Sequence, residues 1–215
     1  MIQTRQQQDL IPSTLLVRQF NAAPPGKLFC LHGDRSVFRL SLYAASHALL
    51  AGVPIALLDG SNHFDVYYIA EFARRASASR PNVTPEKLLE RIFVSRAFTC
   101  YQMEAAITER LPKFLEKKRS SVAIIFGLLD TFYDEQAPLF EVRASLQRII
   151  AALRQLKRNN ISVLLALRDM KLASSERNAL FPKLLAAMDE SYTIMESETA
   201  PKIFRDSCLY SARHD

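Results

Sequence analysis

The feature that most constrains this chain is a series of short, wholly apolar runs recurring between amphipathic stretches. Val122-Ala123-Ile124-Ile125-Phe126 contains no polar position, and a strand apolar at every residue is covered on both faces. Strand-like runs at 27–31, 53–58, 91–95, 121–128 and 161–167 alternate with helical patterns at 36–51, 65–76, 85–90, 101–116, 141–158 and 174–188. Such alternation predicts right-handed βαβ crossovers and a parallel sheet between two helical layers. The helix over 141–158 is the clearest, with Val142, Leu146, Ile149, Ile150, Leu153 and Leu156 on one stripe and Arg143, Gln147, Arg154 and Lys157 off it. Thr84 as N-cap and Pro85 at the first helical position start the short helix after it. Runs at 191–195 and 202–205, joined by a short loop, predict a C-terminal antiparallel hairpin.

The expected architecture is therefore α/β, three-layered, with a mostly parallel central sheet. Residues 26–215 form one domain, preceded by an N-terminal tail or linker over 1–25 that ends in Ala22-Ala23-Pro24-Pro25-Gly26. That tail carries Leu10, Ile11, Leu15, Leu16, Val17 and Phe20, enough to dock on a neighbour or on its own sheet. A 49% hydrophobic chain of 215 residues can bury one large core. No apolar run reaches the roughly 18 residues of a membrane span, and the polar start is unlike a signal peptide, so a cytoplasmic protein without a membrane partner is expected. Cys30, Cys100 and Cys208 are odd in number and far apart, and read as reduced thiols.

A net charge of +6 is compatible with an anionic partner such as DNA. The candidate phosphate contacts are Arg74 and Arg75 with Arg80; Lys113, Lys117, Lys118 and Arg119; Arg154, Lys157 and Arg158; and Arg168 with Lys171. Several close helices, where the helix dipole favours cations without any ligand.

After the first strand comes His32-Gly33-Asp34-Arg35-Ser36-Val37-Phe38-Arg39-Leu40. This is the place of a phosphate loop, G-x-x-x-x-G-K-[ST], whose glycines, lysine and hydroxyl hold phosphates and Mg²⁺. Gly33 keeps the first glycine, while Phe38, Arg39 and Leu40 stand where the other three belong. Asp34, Arg35 and Ser36 fill the intervening loop, and Arg39 either holds an anion near the helix start or lies in solvent. Asp59 ends a strand at the edge where α/β sheets bind ligands; the alternative is a turn aspartate accepting from the N–H groups of Ser61 and Asn62. Asp130 is a candidate metal carboxylate or part of an acidic solvated loop with Asp134 and Glu135. His32 and His63 follow successive strands without ligand spacing, so no metal is expected.

Three further segments carry a family resemblance. Arg96-Ala97-Phe98-Thr99-Cys100-Tyr101-Gln102 is similar to the A-R-A-[YF]-N-x-x-H-Q segment of RecA/RadA-type recombinases. Leu58-Asp59-Gly60-Ser61-Asn62-His63-Phe64 resembles their Y-I-D-T-E-G-T-F strand end, and Lys202-Ile203-Phe204-Arg205-Asp206-Ser207-Cys208-Leu209 their K-I-Y-D-S-P-C-L strand. The resemblance covers about 27–209 and implies a RecA-like P-loop NTPase fold. The departures fall on its catalytic positions: Arg39 and Leu40 in the loop, Ser61 for the water-polarising Glu, Gly127 for the Mg²⁺-binding Asp, and Arg168 for the γ-phosphate-sensing Gln. Phosphoryl transfer rests on positioning and charge, so no catalytic residue and no cofactor are expected, ATP with Mg²⁺ being what the family would supply. The reading is a non-catalytic RecA-like homologue that binds DNA or assists in recombination and repair. A RecA-like partner or self-association is in keeping with family cores that stack edge to edge. The alternatives are residual ATP binding through 33–40 and a scaffold for protein partners only.

Overall fold

The structure, a computed structural model, describes residues 12–21, 26–170, 174–198 and 201–206. Its centre is a seven-stranded sheet ordered β3-β2-β4-β5-β1-β6-β7. The strands are β1 (Leu28–Gly33), β2 (Ile55–Asp59), β3 (Ile92–Arg96), β4 (Val122–Phe126), β5 (Ser162–Arg168), β6 (Glu190–Met195) and β7 (Lys202–Arg205). All pairings are parallel except that of β6 with β7. The mostly parallel sheet and its C-terminal hairpin are thus as expected.

The helices are α1 (Ser13–Asn21), α2 (Ser36–Leu50), α3 (Val66–Ser77), α4 (Pro85–Leu89), α5 (Cys100–Ala105), α6 (Leu111–Lys118), α7 (Leu139–Arg158), α8 (Ser175–Asn178) and α9 (Leu180–Leu185). Period-two alternation divides the sheet's side chains between two cores. Phe29, Leu31, Leu57, Ile124 and Ala166 pack with α1 to α4. Cys30, Leu58, Ile125 and Leu165 pack with α5, α6, α7 and α9. Crossovers moving toward β3 run over the α2 face and those moving toward β7 over the α7 face, as one handedness requires. The chain leaves β1 in one direction and β5 in the other. Their carboxyl ends therefore flank the crevice where ligands of open α/β sheets bind.

Three local differences from the expected pattern have physical causes. Within the segment read as tail or linker, Ser13–Asn21 is a helix docked on the α2 face, with Leu16, Val17 and Phe20 buried. Phe20 meets the Phe29 ring edge-on, centroids 5.8 Å apart. The expected helix over 101–116 contains a π-helical turn, Ala106–Arg110. Pro112 follows immediately, and its missing N–H removes one rung of the α-helical ladder. The expected helix over 174–188 is two short helices, α9 carrying Pro182 in its first turn. Arg177 of α8 is buried and donates to the Phe132 (2.7 Å) and Ala137 (2.6 Å) carbonyls, tying the segment after β5 to the segment after β4.

Because Phe20 is 1% exposed, Phe20→Ala is expected to lower stability by about 3 kcal/mol in urea unfolding. A loss below about 0.5 kcal/mol, the range of surface changes, would show that α1 does not dock.

Candidate functional site

At the end of β1 the chain enters helix almost at once. Only Asp34 and Arg35 separate Gly33 from Ser36, the first residue of α2, so most of the segment 33–40 is helix and no wide cradle forms. Gly33 has φ +137°, and a Cβ there would lie 2.0 Å from the Ile194 carbonyl oxygen. The glycine lets β1 approach β6. Asp34 then closes the helix start from within the chain. Its Oδ1 accepts from the Ser36 N–H (2.7 Å) and the Ser36 hydroxyl, and its Oδ2 accepts from the Glu196 N–H. A carboxylate of the protein thus sits where the α2 N-terminus would favour a phosphate. The Asp169 N–H donates to the Gly33 carbonyl at 2.7 Å, bridging the β1/β5 crevice.

Phe38 turns inward and is buried. Its ring lies 4.2 Å from the His63 ring and 5.2 Å from that of Phe126, filling the space above β4. The loop over 60–64 is shaped by Asp59, which is buried and accepts from the N–H groups of Ser61 (3.1 Å), His63 (3.2 Å) and Phe64 (2.9 Å). Asp59 therefore organises a turn, with His63 and Phe64 as donors where Asn62 was expected. Asn62 stands at φ +55°.

Opposite this loop is Gly127, at φ +57°, where a Cβ would meet the Ser61 Cβ at 2.4 Å and Asp130 Oδ2 at 3.0 Å. Ser61 and Gly127, from the loops after β2 and β4, are thus in close contact. Asp130 is held above the usual carboxylate range, chiefly by burial and also by Asp59, while Arg168 and His63 oppose the shift. His63 is held below its ordinary value, chiefly by burial; Asp59 pulls it up, Arg168 down, with smaller contributions from Asp130 and Arg35. The structure thus brings Asp59, Asp130, Arg168, His63 and Arg35 into one electrostatic neighbourhood.

Beside it, between α2 and α3, is an open groove of about 370 Å³ lined by Arg35, Phe38, Arg39, His63, Tyr67 and Tyr68 among others. Arg39 stacks over the Tyr68 ring at 5.5 Å. Asp65 caps α3 by accepting from the N–H groups of Tyr67 and Tyr68. Tyr67 is 79% exposed. The tyrosines could be found in the sequence only by knowing that α2 and α3 lie side by side.

The basic candidates do not converge. Arg74 and Arg75 end α3 on the α2 face, and Arg75 pairs with Glu71. Lys113, Lys117, Lys118 and Arg119 belong to α6 on the opposite face. Lys118 lies 4.4 Å above the Phe93 ring, and Arg119 closes the helix in the left-handed conformation. Both helices end at the amino ends of the strands, away from Arg168 at the carboxyl end of β5. Lys171 lies outside the described residues.

A second polar cluster centres on His32, which shares a sheet edge with the loop but faces α9. His32 Nε2 is 2.9 Å from Asp206 Oδ2 and Nδ1 is 3.3 Å from Asp169 Oδ1; Thr193 donates to Asp206 at 2.7 Å. Burial opposes charge on the ring, yet the two carboxylate hydrogen bonds outweigh it and raise the pKa to about 9. Burial likewise works against charge on Asp206, which His32, Ser191 and Thr193 nonetheless hold below its ordinary value. His32 and His63 point to opposite cores, and no group of three or more metal-ligating side chains occurs among the described residues. The same holds for a helix long and apolar enough to cross a membrane. Comparison with known proteins finds no family model that matches the chain and no curated protein sequence that matches it.

Gly127→Ala is expected to cost at least about 2 kcal/mol in denaturant unfolding, from the left-handed backbone and the overlap with Ser61. Adding Ser61→Gly should recover part of that cost; strict additivity of the two changes would mean the loops do not touch. For His32 the folded pKa is raised, so its stabilisation is complete below the unfolded value of 6.5 and fades as pH rises through about 9. Thermal unfolding between pH 6 and pH 10, about the span of that titration, should show this alkaline loss in the native chain and not in His32→Gln.

Proposed function

We propose that the chain is a non-catalytic homologue of the RecA/RadA-type recombinases that serves as a DNA-binding or accessory protein in recombination and repair. The mostly parallel α/β sheet with its antiparallel C-terminal strand is compatible with the RecA-like core implied by the sequence motifs. The non-catalytic reading is supported by the close packing of Asp34, Phe38, Ser61 and Gly127, residues of the segments that the motif resemblance sets at the phosphate and metal positions. A site packed in this way has neither the space nor the charge that phosphoryl transfer requires.

Action by binding has support in the edge of the sheet. β3 is a terminal strand whose outer hydrogen-bonding groups are unpaired within the sheet. Beside it lies an apolar cleft of about 170 Å³ lined by Phe93, Ala106, Leu111 and Phe114 among others. This edge suits a RecA-like partner or a second copy of the chain. The groove between α2 and α3 favours a second reading, residual nucleotide binding, because Arg35 and Arg39 offer cations and Tyr67 an exposed ring outside the closed loop.

Fluorescence anisotropy with labelled single- and double-stranded DNA, over a range of salt and with or without Mg-ATP, separates these readings. Binding that weakens steeply with salt and ignores ATP is the expected result. ATP-dependent binding abolished by Arg39→Ala would replace it with the nucleotide-binding reading. Absence of DNA binding at low salt would leave a scaffold for proteins.

A further inference from the structure

We propose that the groove between α7 and α9 is a docking site for an acidic peptide segment of a partner protein, one in which carboxylates alternate with apolar side chains. The groove encloses about 300 Å³ and is lined by Gln147, Ile150, Ala151, Arg154, Lys183 and Ala186. Ile150 and Ala151 lie one turn, and Arg154 two turns, beyond Gln147 on the same side of α7. Lys183 and Ala186 face them from α9 and its C-cap.

Charge complementarity identifies the occupant. Glu141 is the sole carboxylate of α7; it accepts the Tyr101 hydroxyl at 2.5 Å and lies at the opposite end of the helix from Arg154. α9 has no carboxylate. The cations of α7 fall into two groups. Arg148 pairs with Glu104 and Lys157 with Asp189. Arg143, Arg154 and Arg158, like Lys183 of α9, take part in none of the ion pairs found among the described residues. Of these, Arg154 and Lys183 flank the groove, one from each helix.

The floor argues against a nucleic-acid backbone. Ile150 is buried, and the side chains that Ala151 and Ala186 add to the floor are methyl groups. A peptide can lay apolar side chains on that surface while its carboxylates reach Arg154 and Lys183. A phosphate backbone gains nothing from it. The proposal does not depend on DNA binding or on a RecA-like fold.

The test uses the full chain and a fluorescein-labelled synthetic peptide of repeated Asp-Leu-Asp-Phe units, with an Asn-Leu-Asn-Phe peptide as its uncharged counterpart. Arg154→Glu combined with Lys183→Glu alters only exposed positions, and circular dichroism checks that the fold is kept. Saturable binding of the acidic peptide is expected, weakened at least about tenfold by the double substitution and by the uncharged peptide. Equal affinity of the double variant would overturn the proposal, as would equal affinity of the uncharged peptide or no saturation up to about 1 mM. Labelled duplex DNA is titrated in parallel. If DNA loses as much affinity as the peptide in the double variant, the groove is a nucleic-acid contact and the peptide reading fails. DNA affinity that is unchanged while peptide binding falls supports it.

Discussion

The carboxyl edge of the sheet depends on one contact, that between the loops following β2 and β4. Ser61 can lie against Gly127 because position 127 has no Cβ and adopts φ +57°. Gly60 closes the same interface from the other side, where a Cβ would stand 2.9 Å from the Gly127 carbonyl oxygen. Once the loops meet, Asp59 below them must satisfy the turn's N–H groups, because a buried carboxylate without donors is costly. His63 is then presented to Phe38, and Phe38 to Phe126. A change at any member of this chain would have to propagate through tightly packed rings and backbone.

This contact constrains both positions at once. A metal-binding aspartate at 127 would need a Cβ where the Ser61 side chain lies, and a glutamate at 61 would enlarge the group that already touches Gly127. Asp34 adds an electrostatic counterpart. Its carboxylate already meets the first N–H of α2, and an incoming phosphate would face a negative charge at the place where the helix dipole favours one. Steric closure and like charge act on adjacent parts of this edge, so no single substitution would open a phosphate cradle here.

Much of the fold was legible because it depends on local pattern. The doubly covered strands, the stripe on α7 and the Thr84–Pro85 start are statements about neighbouring residues, and the sheet follows from their alternation. α1 was not legible: Leu16, Val17 and Phe20 are too few to distinguish a docked helix from a polar lead-in, and Phe29, which receives them, lies beyond a Pro-Pro-Gly break. The π-helical turn needed the consequence of Pro112 to be followed back into the preceding turn. At the site, Gly33, Asp59, Asp130 and Arg168 could be placed at strand ends from their positions alone. Which donors Asp59 accepts, and that Asp34 reaches Glu196, depend on pairings across 162 residues of sequence in the second case. The placement of the basic clusters was not legible for a related reason: helix ends that look alike in sequence are sorted by the crossovers onto opposite faces.

The electrostatic core lies on the opposite face of the sheet from the phosphate-loop segment. His32 immediately precedes Gly33, yet the strand's alternation sends its ring to the other face, where Asp169 from the end of β5 and Asp206 from the end of β7 converge on it. Asp169 thus contributes twice, its N–H bridging to Gly33 and its carboxylate to His32. The crevice beside β1, the ligand site of an open α/β sheet, is stitched by a backbone hydrogen bond on one level and an ion triad on the next. Arg177 continues the stitching by joining the segments after β4 and β5 through neutral carbonyl partners. A ligand-binding crevice must open or stay open, and each of these bonds connects elements that would have to part. The polar groups at this edge therefore hold together the segments that follow β1, β4, β5 and β7.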